Sequence, residues 1–329
     1  YYLFSEIGSG LRETSGFWSY IIPDSWIGSE KGQNFRKWLG ENGLQELTIP
    51  NEKVFNADVE CIIIKCGQDV DKQEIFSIDR YSSEKKNDIR LPKDGSEFIL
   101  SEHTQILDSI EQNSIELDEI SLTGRGIGPY HHSKHSEETI ENREFHSNEK
   151  EDETYRPELA GKSLERYNID WNGDRWISYG EWLAEPRMPE LFEGPRLLCR
   201  KILGKHIKAT YTEQEWLVDQ QVYVASQFKE KFDVRSVTGI VASKLISFYV
   251  RQKFNEDTEL FPHLRVSQFR RLPIVEKISQ ADNNISENVE KITRLNEEVN
   301  KINLNIEDYL GNYSDGETLS DICMPTEGR

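Results

Sequence analysis

Cysteine and methionine are scarce in this chain, long apolar runs are missing, and each shortage removes a class of protein. Four cysteines, Cys61, Cys66, Cys199 and Cys323, sit at irregular spacings in 329 residues. No CxxC pair is present to grip zinc, and no disulfide framework can be drawn, so a reducing, cytoplasmic setting is expected. No apolar run approaches the roughly 20 residues of a membrane span, and no secretory segment opens the sequence. The first residue is Tyr1 and the opening already reads as mid-helix, which leads us to expect a fragment of a longer polypeptide. A dinucleotide fingerprint is also missing. Gly124, Gly126 and Gly128 make a GxGxG run, but Pro129 and a polar, acidic stretch follow where a helix is required. A mobile polar loop is the expectation for 122–132. His131, His132, His135 and His146 lack the carboxylate spacing of a metal site, so no metal is expected.

Basic charge is short overall, with 40 Lys and Arg against 59 Asp and Glu and a formal net charge of −19. Spread evenly, that balance argues against nucleic acid. It is not spread evenly. Between 134 and 159 acids dominate, among them Glu137, Glu138, Glu141, Glu144, Glu149 and Glu158. Between 195 and 275 there are 14 basic and 8 acidic residues, a local balance of +6. Affinity for DNA follows the number of phosphates contacted and not the charge of the whole molecule.

The stretch from 155 to 202 organises the rest. Tyr155, Pro157, Leu159, Leu164 and Tyr167 are interleaved with Arg156, Lys162, Arg166 and Asp170, and Leu197, Leu198 and Ile202 share a strand-length run with Arg196, Arg200 and Lys201. A strand sends successive side chains to opposite faces, so such runs can bury one face and offer guanidinium groups on the other. Trp171, Trp176, Tyr179 and Trp182 lie between them. Upstream, residues 1–12 have helical spacing, and Trp18, Tyr20, Ile21 and Ile22 form a short buried strand that Pro23 ends. A helix with Phe35, Trp38 and Leu39 inward stops at Gly40 and Gly43. Strands over 44–49 and 59–66 follow, the order expected at the close of an α/β domain. Downstream, 236–254 reads as one helix, with Ile240, Leu245, Phe248 and Tyr249 inward. Ile285, Val289, Ile292, Val299, Ile302 and Ile306 give an amphipathic helix that packs on its own domain or self-associates weakly.

FWSYIIPDSWIGSEKGQNFRKWL followed by VFNADVECIIIK resembles the late motifs of N6-adenine DNA methyltransferases of the gamma, TaqI-like class. YRPELAGKSLERYNID, PRLLCRKI, SVTGIVASKLISFYVRQKF and FPHLRVSQFRRLPI resemble, in order, the specificity domain of the same family. The resemblance covers roughly residues 1–275. It implies the end of an S-adenosylmethionine-dependent, Rossmann-like methyltransferase domain (1–70), a connector (71–120) and a mixed α+β DNA target-recognition domain (121–275). A C-terminal amphipathic helix (276–310) and a disordered tail (311–329) complete the expected chain.

The catalytic tetrapeptide Asn/Asp-Pro-Pro-Tyr/Phe and the glycine-rich cofactor motif of that family are both missing from the sequence. The implied function is therefore target recognition within a restriction–modification adenine methyltransferase, of a type IIG kind, in a parent with or without a nuclease. No catalytic residue is expected here, and S-adenosyl-L-methionine would bind outside this chain. The implied partner is double-stranded DNA. The resemblance assigns Tyr130 to stacking on an extruded adenine, with His131 or Phe145 as substitutes. Phe is expected to be tolerated at 130, because only the ring would matter. Candidate DNA contacts are Arg125, Arg196, Arg200, Lys201, Lys205, Lys208, Arg265 and Arg270. The alternative from another class is a non-enzymatic module whose aromatic strip and terminal helix bind a protein partner.

Overall fold

The computed structural model describes residues 2–13, 16–50, 54–56, 59, 61–67, 74–78, 83–88, 95–96, 98–99, 101, 103–254, 263–276 and 283–301. The expected tail at 311–329, together with Cys323, Ile302 and Ile306, lies outside these residues. The chain is a mixed α/β protein of several small sheets, divided into one compact unit over 1–114 and 247–263 and a second over 115–246 and 264–329. Among the described residues no helix is long and apolar enough to cross a membrane.

The first unit begins with α1 (Tyr2–Leu11), β1 (Trp18–Pro23), α2 (Gln33–Glu41), β2 (Leu44–Pro50) and β3 (Cys61–Cys66). It continues with β4 (Glu74–Ile78), β5 (Ser83–Asp88) and α3 (Thr104–Gln112). The strands form one sheet in the order β1-β3-β2-β4-β5, with β3 antiparallel to both of its neighbours and β2 parallel to β4. Strands in the 71–120 stretch thus extend this sheet. Because β1 is an edge strand, only Trp18 and Ile22 are buried, while Tyr20 and Ile21 are exposed, against the expectation of a wholly buried strand. Gly40 lies inside α2; the helix ends at Asn42, whose amide and side chain both donate to the Trp38 carbonyl, and Gly43 follows at φ +78°. Arg36 of α2 is buried and donates to the carbonyls of Gly95, Ser96, Ser29 and Trp26. It satisfies main-chain oxygens that no secondary structure reaches.

The second unit opens with β6 (Ser114–Glu116), α4 (Leu117–Ile120), β7 (Leu122–Arg125), α5 (Glu137–Glu141), β8 (His146–Ser147) and β9 (Tyr155–Leu159). Next come β10 (Leu164–Glu165), β11 (Asn168–Ile169), β12 (Trp176–Ser178), β13 (Arg196–Arg200), β14 (Ala209–Thr212), β15 (Leu217–Val218) and β16 (Val222–Ser226). The chain closes with α6 (Val234–Val241), α7 (Lys244–Phe254, of which 247–254 belong to the first unit), α8 (Val266–Arg270), β17 (Pro273–Val275) and α9 (Asn283–Lys301). Two four-stranded sheets, β14-β13-β16-β7 and β15-β9-β12-β8, share a core of Ile127, Leu159, Ile177, Phe192, Leu198 and Val224.

The glycine run joins these sheets and is not a loop. Gly126 donates to the Val222 carbonyl at 2.8 Å, Ile127 to Val218 at 2.8 Å, and Gly128 and Glu185 exchange bonds of 3.0 and 2.8 Å. A Cβ at Gly126 would collide with the carbonyl oxygens of Asp219 and Val218. The close main-chain approach is therefore what requires glycine here.

The single helix expected over 236–254 is two. The Ser243 hydroxyl accepts from the Ile246 amide at 3.1 Å, a cap that starts α7 after the break, and Leu245 is exposed. α9 lies on α6, where Ile285 and Val289 pack over Gly239, and Asn296 reaches the Tyr167 carbonyl at 2.9 Å. Ile292, Leu295 and Val299 are exposed on it.

Gly126→Ala should destabilise the second unit by about 3 kcal/mol, the upper end for overpacking against atoms that cannot turn away. Thermal unfolding measures this directly. An unchanged melting temperature would show that the two sheets are not pinned here.

Candidate functional site

The candidate basic residues fall into two groups and one exception. Arg200, Lys201, Lys205 and Lys208 surround the turn between β13 and β14, where the Arg200 amide donates to the Lys208 carbonyl at 2.9 Å. The Leu264 amide donates to the Lys201 carbonyl at 2.9 Å, which brings Arg265 beside them. Arg200 and Lys208 converge on one carboxylate, Glu165, at 3.3 and 2.6 Å. Lys205 and Arg265 are exposed. Arg125 and Arg270 make the second group. Arg270 Nε is 3.3 Å from Thr123 Oγ1, two residues along β7 from Arg125, so both guanidiniums lie by the same strand. Arg125 is 2.6 Å from Glu185, which Arg187 also binds.

Arg196 is the exception, and the sequence reading of it is corrected. Its side chain is fully buried and donates to the carbonyls of Gly194, at 2.7 Å, and Gln214. Burial pushes its pKa down to about 10, which leaves it a cation at neutral pH. Both faces of β13 are covered, as the burial of Leu197, Leu198 and Cys199 shows, so the alternation that suggested an outward guanidinium does not operate there. Arg196 holds two main-chain segments together and cannot reach DNA.

Tyr130 sits in a network that composition alone did not suggest. Its ring stacks on Phe145 with centroids 5.2 Å apart and planes within 7°. Its hydroxyl accepts from the Phe145 amide at 3.0 Å and lies 2.8 Å from His146 Nδ1. His146 Nε2 is 3.1 Å from Glu158 Oε2, and Arg175 Nε donates to the same oxygen at 2.6 Å. One tautomer satisfies every partner: Tyr130 donates to Nδ1, and the proton on Nε2 is given to the carboxylate. Glu158 is fully buried. Burial alone would raise its pKa, but His146 and Arg175 outweigh this and hold it below the usual carboxylate range. Its other oxygen, Oε1, and the indole N–H of Trp171 have no partner.

The expectation that Phe would serve at 130 is corrected by the two bonds of the hydroxyl. His135 completes the aromatic cluster, 5.2 Å from Phe145, and His131 is exposed. Among the described residues no group of three or more His, Cys, Asp or Glu could hold a metal ion.

Among the described residues, cavities open on this unit. One of about 600 Å³ runs between Tyr211, Trp216 and α9. Another, about 420 Å³, is lined by Arg143, Asn148, Glu158, Lys162, Trp171 and Arg175 among others. Glu158, His146 and Arg175 were missed as a site because 17 residues separate the carboxylate from its guanidinium. The available signal was an acid set inside the strand run YRPEL.

Residues 156–274, which hold Glu158 and Arg175 of this network and the candidate basic residues other than Arg125, match a family model, that of the TaqI-like C-terminal specificity domain. Residues 156–274 form a TaqI-like specificity domain. The fold of the chain is similar to that of the type IIL restriction-modification enzyme MmeI in complex with DNA, at TM-score 0.54 and 12% identity over 87% of this chain and 43% of that one. It is also similar to a nuclease-deletion mutant of the type ISP restriction-modification enzyme LlaGI in complex with a DNA substrate mimic, at TM-score 0.53 and 12% identity over 89% and 36%. The chain thus spans less than half the length of either. No curated protein matches it in sequence. Within the TaqI-like domain, β9 contributes Glu158, β13 the buried Arg196, and the β13–β14 turn the exposed Lys205.

Tyr130→Phe should cost about 1–3 kcal/mol, because the Phe145 amide and His146 Nδ1 both lose their partner; chemical denaturation checks it, and an unchanged midpoint would mean water replaces the hydroxyl. The depressed Glu158 carboxyl adds a pH dependence. Its contribution is complete above the ordinary value of 4.5 and is lost as pH falls through the lower folded value. Glu158→Gln should therefore be less stable than the parent at neutral pH, with the gap closing below about pH 4.5. A gap that stays constant into acid would show that Glu158 is not held ionised.

Proposed function

We propose that this chain is the target-recognition part of a restriction–modification DNA adenine-N6 methyltransferase, and that its second unit reads double-stranded DNA. The observation that carries the reading is the TaqI-like specificity domain at 156–274 in a fold shared with two restriction–modification enzymes bound to DNA or to a DNA mimic. Such enzymes meet DNA first through its phosphates, which side chains of either charge-bearing type, Lys or Arg, can contact without regard to sequence. The exposed Lys205 and Arg265, with Arg200, Lys201 and Lys208 beside them, supply that chemistry at one end of a rigid sheet. Arg125 and Arg270 supply it along β7. The acid-rich 134–153 stretch is kept apart in sequence, and Glu137 and Glu138 occupy the first turn of α5, where a helix N-terminus favours negative charge.

In this reading Tyr130 is the aromatic offered to an extruded adenine, with Phe145 stacked behind it. The first unit is the end of the methyltransferase sheet, supported by the antiparallel strand β3 inserted between β1 and β2. The parent enzyme is cytoplasmic and of type IIG architecture. Its S-adenosylmethionine would bind outside this chain. No residue of this chain is assigned to the cofactor, and no methyl transfer is expected of the chain alone.

Duplex DNA titrated against the chain at several salt concentrations tests the reading. The logarithm of the binding constant should fall linearly with the logarithm of salt, at about −0.9 per phosphate contacted. Lys205→Ala should make that slope shallower by about 1. Arg196→Ala should do the opposite, lowering the melting temperature through its two orphaned carbonyls. Absence of salt-dependent binding to duplex DNA would rule the reading out.

A further inference from the structure

A carboxylate buried as deeply as Glu158 needs a reason, and the reason lies in what it does to Arg175. The guanidinium is only partly exposed, and its Nε is fixed on Glu158 Oε2 at 2.6 Å. Among the described residues its terminal nitrogens make no hydrogen bond, and the residue lines the 420 Å³ cavity. A guanidinium anchored through Nε has one degree of freedom fewer than a free one, and its remaining fork of two parallel N–H groups keeps a set direction. Glu158 is itself oriented, through His146 and Tyr130, by a chain of hydrogen bonds that ends on the Phe145 amide. The arrangement resembles no stability device, because a well-packed apolar group would serve as well at lower desolvation cost.

The cavity around the fork is chemically selective. Asn142, Asn148 and Asn172 line it with Arg143 and Lys162. Arg and Asn are the side chains that pair bidentately with the major-groove edges of guanine and adenine, while Arg and Lys also meet phosphate. A planar fork with two free donors matches an edge with two acceptors in one plane, and among the bases guanine, through O6 and N7, presents that edge.

We propose that Arg175 is a specificity-determining residue that reads a guanine, its terminal nitrogens donating to O6 and N7 while Glu158 acts as the positioning residue behind it. The inference rests on the reading of the chain as a DNA target-recognition module and names the base that one of its pockets takes.

The test begins with selection of bound duplexes from a randomised pool by the full chain, which yields the preferred sequence. Each guanine of that sequence is then replaced in turn by 7-deazaguanine, which lacks the N7 acceptor. At one guanine the replacement should weaken binding about 5- to 100-fold for the parent chain. For Arg175→Lys, which keeps a cation beside Glu158 but has no fork, the same replacement should have no effect, and selection at that position should relax. Arg175→Ala is the harsher variant, and its melting temperature shows whether the uncompensated Glu158 has unfolded it. Uniform weakening of all sequences by Arg175→Lys, with a shallower salt slope, would make Arg175 a phosphate contact and overturn the proposal. So would a 7-deazaguanine scan in which no position distinguishes the parent from the variant. In both cases salt-dependent, sequence-selective binding survives and the wider reading stands. A pool that yields no preferred sequence overturns the proposal, and salt-dependent binding then decides separately whether DNA binding itself has failed.

Discussion

The close passage of main chain at Gly126, Ile127 and Gly128 over Val218, Asp219 and Glu185 is the constraint on which the second unit depends. Two twisted sheets can share a core only if something fixes their separation and register, and here paired backbone bonds do so where no side chain fits. Everything proposed to meet DNA hangs from that frame. β7 runs directly into it and carries Arg125; Pro129 and Tyr130 leave it directly. The position of the Tyr130 hydroxyl, and through His146 that of Glu158, is therefore set by main-chain geometry a few residues away.

A second theme is the use of buried charge to tie irregular chain. Arg36 in the first unit and Arg196 in the second each gather carbonyl oxygens from segments far apart in sequence. Guanidinium suits this task because its donors lie in one plane and point in several directions at once. Glu158 differs: it is paired with an arginine that still faces a cavity. The first two close a structure, whereas the third leaves half of its partner unused.

Much of the frame was legible in the sequence because it is written in local signals. Apolar runs marked β1, β2, β3 and β13, and helical spacing marked α1, α2 and α9. The errors share one cause, which is that burial on both sides of an element is a tertiary property. Arg196 looked outward because alternation presumes one wet face, and β13 has none. The glycine run looked mobile because its partners, Val218 and Glu185, are distant in sequence. The helix over 236–254 looked continuous because the Ser243 cap competes with helical spacing by a single hydrogen bond. For the candidate site, the basic residues of the β13–β14 turn stand out in the local charge balance of the sequence, whereas the Glu158–Arg175–His146 network does not, since pairing between separate segments leaves no trace in spacing.

The rigid seam also bears on how such a chain can change over generations. Residues 172–174, between β11 and β12, and 204–206, between β13 and β14, are turns whose ends are anchored in paired strands, and Gly173 at φ +80° meets nothing within 4 Å. Turns of this kind accept substitution and changes of length with little effect on the sheets that carry them. These turns can therefore be exchanged while the glycine seam, Arg36 and Arg196 stay as they are. Diversity would accumulate in the turns, and constancy in two glycines and two buried arginines.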